Sequence, residues 1–152
     1  MSSPLISFIV PLYNQLSKTQ EMLASLRESI SLDISYEIIL CDDYSTDGTR
    51  DWLLNLNNPD IRVHLNQQNQ GYAYTNNVGA RSAQGFYLGF LNNDLLLKPG
   101  WLEPMLEAFS SPVKKLGLVG NLQYRIDNDA LDHAGMDLNL AGQFVHIHDC
   151  QQ

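Results

Sequence analysis

The stretch Ile38-Ile39-Leu40-Cys41-Asp42-Asp43-Tyr44-Ser45-Thr46-Asp47-Gly48-Thr49 decides the fold. An apolar run stops abruptly at two adjacent carboxylates, followed by a cluster of Ser, Thr, Asp and Gly. A hydrophobic run bounded by turn residues reads as a buried strand entering a loop. In open α/β sheets ligands bind just beyond the carboxyl ends of such strands. Asp42 and Asp43 placed there suit a ligand with hydrogen-bond donors, such as a nucleobase N–H or ribose hydroxyls, or a bound metal. The competing reading is a helix cap, with Ser45 or Asp47 opening the next helix. Capping explains Asp47 but leaves the Asp42–Asp43 pair unexplained.

Outward from this strand, helical and strand patterns alternate. Leu5 to Val10 reads as the first strand, closed by Pro11. Ser17-Lys18-Thr19-Gln20 has the form of a capping box, and Met22, Leu23, Leu26 and Ile30 then recur at helical spacing. After the second strand, Tyr36 to Cys41, Asp47 is expected to cap a helix reaching about Leu56. Ile61 to Leu65 is the third strand. Gly71 to Ala83 is helical, with small residues on one side. Phe86 to Leu91 is a continuous apolar run, expected to be a strand buried on both faces. Pro99 suits the start of a helix running to about Phe109. Leu116 to Gly120 reads as a fifth strand. Beyond Asn121 the pattern predicts short strands with turns at Asp127-Asn128 and Ala141-Gly142.

Alternating strands and helices predict an α/β fold: a Rossmann-like, mostly parallel sheet flanked by helices, with a short β-hairpin region at the C-terminal end. A chain of 152 residues with 44% hydrophobic content can build one domain, expected over residues 1–152. The net charge of −8 weighs against nucleic-acid or anionic-membrane partners, which need clustered Lys and Arg. Cys41 and Cys150 make no disulfide framework. The opening Met1-Ser2-Ser3-Pro4 shows no signal peptide, and no apolar stretch approaches membrane-spanning length. The expected location is the cytoplasm, with the inner membrane face as the peripheral alternative.

Two acidic strand ends stand out: Asp42-Asp43 and Asn92-Asn93-Asp94. In a doubly wound sheet both lie on one edge and can share a cleft. A nucleoside diphosphate needs a divalent cation, and Mg2+ or Mn2+ accepts one or two protein carboxylates with phosphate and water completing the shell. Asn92 and Asn93 can hydrogen-bond ribose or metal-bound water; an ordinary Asn/Asp-rich turn is the alternative. His133, His146 and His148 could form a metal site but fit surface hairpin positions better, and His64 reads as structural.

The sequence resembles the family-two nucleotide-sugar glycosyltransferases of GT-A fold, their rhamnosyltransferase-like members included. The resemblance runs through Ser7-Phe8-Ile9-Val10-Pro11-Leu12-Tyr13-Asn14, then Asp42-Asp43-Tyr44-Ser45-Thr46-Asp47-Gly48-Thr49, then Asn69-Gln70-Gly71-Tyr72 with Asn76-Asn77 and Gly79. Leu91-Asn92-Asn93-Asp94 and Leu131-Asp132-His133-Ala134-Gly135 follow in the family's order. The resemblance implies that Tyr13 lies against the nucleobase and Pro11 shapes that pocket. It implies that Asp43 accepts a base N–H while Asp42 supports the loop, and that Asn76 belongs to the same nucleotide-sugar-binding set. Asn93 would approach the ribose, and Asp94 would bind the Mn2+ or Mg2+ that bridges the diphosphate.

The implied donor is a UDP- or dTDP-linked sugar and the implied acceptor a glycan or other hydroxyl. The implied reaction is metal-dependent transfer, with inversion. Asn92 departs from the family pattern, which commonly has Asp there. Members also continue past this length, so the chain is expected to be the donor half, with the acceptor part and its catalytic base elsewhere. Asp127, Asp129, Asp132, Asp137 and Asp149 do not lie where that base is expected. A non-catalytic nucleotide-sugar-binding module is the rival reading, and dimerisation through an exposed sheet edge a third. A dehydrogenase is excluded because Pro11-Leu12-Tyr13-Asn14 offers no Gly-x-Gly-x-x-Gly. No phosphate-binding P-loop occurs, and the Gly-rich basic loop of a nucleotidyltransferase is missing.

Overall fold

The computed structural model describes residues 3–112, 116–138 and 144–146. The chain divides into two compact units, Met1–Pro99 and Gly100–Gln152.

The first unit is built on four parallel strands, β1 (Ile6–Leu12), β2 (Tyr36–Asp42), β3 (Ile61–Leu65) and β4 (Tyr87–Phe90), in the order β3-β2-β1-β4. Helices α1 (Leu16–Ser29), α2 (Thr49–Leu54) and α3 (Tyr72–Ser82) connect them. Right-handed crossovers place α1 and α2 on one face of the sheet and α3 on the other. The strand order reverses between β1 and β4, which makes the gap beyond their carboxyl ends the topological switch point. The mostly parallel, helix-flanked architecture is the one expected.

Side-chain alternation divides the core between the two faces. Ile9, Ile39 and Cys41 form a buried cluster, with Ala80 and Ala83 of the α3 segment packed on it. Gly79 permits that approach: a Cβ there would stand 2.5 Å from Ile9 Cγ2 and 3.0 Å from Cys41 Sγ. Phe8, Val10, Ile38 and Leu40 alternate with that cluster and are also fully buried. Strand β1 runs through Pro11 rather than ending before it. Ile9 C=O accepts Leu91 N–H on the β4 side. Pro11 shares that side, so its missing N–H falls just past the last β1–β4 pair, Ile9 with Phe90.

Other local expectations are corrected. Helix α1 has no capping box: Gln15 precedes it in a left-handed conformation, and the Leu16 N–H is taken by Asp47 Oδ2 at 3.1 Å. The α2 cap position is Gly48, at φ 94°, and the helix stops at Leu54. Asp47 still serves that end, since its Oδ1 accepts both the N–H and the hydroxyl of Thr49. Strand β4 is not buried on both faces: Leu88 is 46% and Phe90 50% exposed, and these alternate residues share one face; among the described residues β4 pairs with β1 alone.

In the second unit α4 is Glu103–Phe109, with Pro104 in its first turn. Residues 116–120 form no strand; glycines stand at 117 and 120, and Leu118 is exposed. Strands β5 (Gln123–Tyr124) and β6 (Leu131–His133) pair antiparallel around a turn that includes Asp127 and Asn128. Strands β7 (Met136–Leu138) and β8 (Phe144–His146) form a second antiparallel pair. Ala141, Gly142, His148, Asp149 and Cys150 lie outside the described residues.

Candidate functional site

The residue that organises the site is Asp43, the first residue after β2. Its Oδ1 accepts from Gln70 N–H and Asn66 Nδ2, both at 2.8 Å, and its Oδ2 accepts from Gly71 N–H at 2.8 Å. Burial by itself would raise this carboxyl. The Gln70 N–H, the Asn66 amide, the Gly71 N–H and the Thr75 hydroxyl outweigh it and hold the carboxyl below its ordinary value. Asp43 therefore fills the place of an anion at the start of α3. Gly71, at φ 84° and ψ 165°, supplies a backbone conformation reserved for glycine, which turns its N–H toward the carboxylate.

Asp42 has a different environment. Its side chain is fully buried, paired with Arg50 Nη1 at 2.6 Å and accepting the N–H groups of Tyr44 and Ser45. Successive strand residues point to opposite faces, so the two adjacent carboxylates separate: Asp42 fixes the turn after β2, and Asp43 faces a cleft.

That cleft is open, about 440 Å³ in volume, and lies wholly within the first unit, beyond the ends of β1, β2 and β4. Of the residues the sequence singled out, Pro11, Tyr13, Asp43, Asn93 and Asp94 line it, whereas Asp42 and Asn76 do not. Asn76 is buried in α3; its Nδ2 donates to Tyr72 C=O, and its Oδ1 has no partner among the described residues. The Asn93 amide is turned toward α1, donating to Thr19 Oγ1 at 3.0 Å. Sequence reasoning missed Gln15 and Thr75 as wall residues. It also missed the hydrogen bond from Tyr72 Oη to Asn92 Oδ1, 3.0 Å long, which joins the start of α3 to the loop after β4.

The electrostatics are one-sided. Two carboxylates, Asp43 and Asp94, line the cleft, and among the described residues no Arg, Lys or His does. An anionic ligand such as a diphosphate would need its own cation here. The donor set suits a hard divalent ion held by one carboxylate with ligand oxygens and water completing its shell. Among the described residues no group of three His, Cys, Asp or Glu is arranged to hold a metal by protein atoms alone; the three-histidine possibility includes His148, which lies outside them. Cys41, beneath α3, is pushed up to about 12 by burial and is chemically quiet. Among the described residues no helix is long and apolar enough to cross a membrane.

Comparison with known proteins converges on one family. The sequence model described as glycosyl transferase family 2 matches residues 7–143. The chain is 38% identical over 109 residues to TuaG of Bacillus subtilis (strain 168), a glycosyltransferase whose name assigns it to teichuronic acid biosynthesis. That match covers 68% of this chain and 41% of TuaG. The chain is 33% identical over 108 residues to the chondroitin synthase of Pasteurella multocida (strain Pm70), covering 70% of this chain and 11% of the synthase. Among solved structures it is similar to the mannosyltransferase PcManGT from Pyrobaculum calidifontis in complex with GDP-Man and Mn2+. The TM-score is 0.59 and the identity 25%, over 74% of this chain and 34% of that one. The chain thus spans well under half the length of these relatives.

Proposed function

Since the chain belongs to glycosyl transferase family 2, we propose that its cleft is the donor site for transfer of a sugar from a nucleoside diphosphate sugar to a glycan or other hydroxyl acceptor. The observation that carries this reading is the convergence of Asp43 and Asp94, from the ends of two different strands, on one cleft that has no basic side chain among the described residues. A nucleobase presents N–H donors, and a diphosphate presents charge that a bound cation would balance beside these carboxylates.

The roles follow from position. Tyr13, half exposed at the cleft wall, offers its ring to the base, and Pro11 shapes the floor beside it. Asp43 Oδ2, which carries one hydrogen bond against two on Oδ1, accepts a base N–H. Asp42 acts indirectly by fixing the turn, and Asn76 supports the first turns of α3. Asn93 stands beside the ribose, and Asp94 holds Mn2+ or Mg2+. When bound, such an ion neutralises charge on the departing diphosphate as a Lewis acid. The PcManGT complex, which contains a nucleotide sugar and Mn2+, supports both the donor class and the ion.

The transfer is inverting in this reading. An acceptor hydroxyl attacks the anomeric carbon from the side opposite the diphosphate and gives its proton to a base; the carbon–oxygen bond to the diphosphate breaks, and the electron pair leaves with the nucleoside diphosphate. The residues assigned here serve the donor. The base belongs to the acceptor side of the full enzyme, and the donor is UDP- or dTDP-linked.

Calorimetry tests the assignment. UDP, dTDP and GDP are titrated with and without MnCl2 into the chain and into Asp94→Ala. Binding that needs manganese, and loses that need in Asp94→Ala, is expected. Manganese-independent binding, or an unchanged manganese effect in the variant, would overturn the role of Asp94.

A further inference from the structure

We propose that Asn14 is the positioning residue of the cleft, tying the loops that follow β1, β2 and β4 and thereby holding the Tyr13 wall in place. This rests on the reading of the cleft as a nucleotide site.

Three groups of Asn14 reach two other loops. Its N–H donates to Ser45 Oγ at 2.7 Å, and its Oδ1 accepts Thr46 N–H at 2.8 Å. Its C=O accepts a longer bond from Asn93 Nδ2, at 3.4 Å. The next tie in line is Leu16 N–H to Asp47 Oδ2. Ser45, Thr46 and Asp47 are thus all engaged by the segment that follows Tyr13.

The backbone explains why such ties are needed. Asn14 and Gln15 both adopt the left-handed region, at φ 59° and 63°. A single non-glycine residue there is disfavoured, and two in succession persist only when surrounding contacts impose them. Asn tolerates the conformation best among non-glycine residues, and here its amide oxygen is the contact that imposes it. The reversal places Tyr13 and Gln15, on either side of Asn14, in the cleft wall together. Without the Asn14 side chain the segment relaxes toward ordinary backbone, and that wall moves. Through its carbonyl the same residue reaches Asn93, the neighbour of Asp94, so the Tyr13 wall and the Asp94 side share one support.

Three substitutions separate backbone from side chain. Asn14→Asp keeps both an acceptor oxygen and tolerance of the left-handed region. Asn14→Gly keeps only the backbone freedom, and Asn14→Ala keeps neither. Two quantities are read on the whole chain: the exchange rate of the Thr46 amide hydrogen, and the calorimetric affinity for UDP with manganese. Loss of one net hydrogen bond predicts that Asn14→Gly speeds Thr46 exchange and weakens UDP binding by about three- to tenfold. Asn14→Asp is expected to restore both to wild-type behaviour, which a role in backbone conformation alone would not require. Wild-type exchange and affinity in Asn14→Gly would overturn the proposal, as would an Asn14→Asp variant as impaired as Asn14→Gly. Should the wild-type chain bind no nucleotide, the donor-site reading fails by itself. Thr46 exchange then decides the role of Asn14: faster in Asn14→Gly supports it, unchanged overturns it.

Discussion

Replacing Asp43 by Asn probes the centre of the site with the smallest change of shape. The native carboxylate accepts three hydrogen bonds of 2.8 Å, two on Oδ1 and one on Oδ2. An amide can keep its oxygen at the Oδ1 position and retain the Gln70 and Asn66 donors. Its NH2 then faces the Gly71 N–H, donor against donor, in a buried place. One charge-assisted bond is lost, and the other two become neutral. A hydrogen bond to a charged group contributes about 1.5–3 kcal/mol, so a loss of about 2–3 kcal/mol in unfolding free energy is expected at pH 7. The assay is urea denaturation of both proteins across the acid range. The carboxyl is held below its ordinary value of 3.8 when folded. Its contribution is therefore complete above that value and disappears as pH falls through the lower, folded value. The gap between wild type and Asp43→Asn should be constant from pH 7 to about pH 5 and close progressively below 3.8. A difference under about 0.5 kcal/mol at pH 7, smaller than one ordinary net hydrogen bond, would refute this account of how α3 is held. A gap of full size that persisted through the acid transition would refute it equally.

Three further outcomes follow from the packing. Gly79→Ala forces a Cβ to 2.5 Å from Ile9 Cγ2; overpacking costs about 1–3 kcal/mol, and a double-mutant cycle with Ile9→Ala should show most of that cost removed. Arg50→Met leaves the buried Asp42 charge with backbone donors only; because Arg50 is itself partly exposed, a loss near the low end of the about 3–5 kcal/mol for broken buried pairs is expected in urea denaturation. Cys41, with its thiol pushed up to about 12 by burial, should resist iodoacetamide at pH 8 in the folded chain and react once unfolded, as read by peptide-resolved mass spectrometry.

The regular elements were legible because local signals and burial agree. Ile38 to Cys41 is apolar and continuous, ends in turn residues, and forms the strand those signals predict. The sheet edge was not legible. Whether Leu88 and Phe90 are covered depends on what packs over their face of β4, and the strand order β3-β2-β1-β4 is a property of topology rather than of composition. The cap of α1 illustrates the same limit: Ser17 and Gln20 carry the right spacing, yet the donor is satisfied by Asp47, distant in sequence. The site was legible as a set of strand-end acids, and Asp43 and Asp94 do meet in one cleft. The division between Asp42 and Asp43 was implied by the resemblance and follows from strand alternation; the pairing of Asp42 with Arg50 depended on how α2 reaches back, and the wall role of Thr75 on the way α3 docks. Neither leaves a mark in the order of residues.

The central claim is that the cleft between Asp43 and Asp94 receives a nucleotide together with a divalent cation. Paramagnetic broadening by Mn2+ in the presence of UDP, followed on backbone amide resonances, tests it most directly. Broadening centred on Asn92 to Asp94, extending to Tyr13 and Gly71 and lost in Asp94→Ala, is predicted. Broadening centred on Asp127, Asp129 and Asp132 instead, or unchanged in Asp94→Ala, would contradict it.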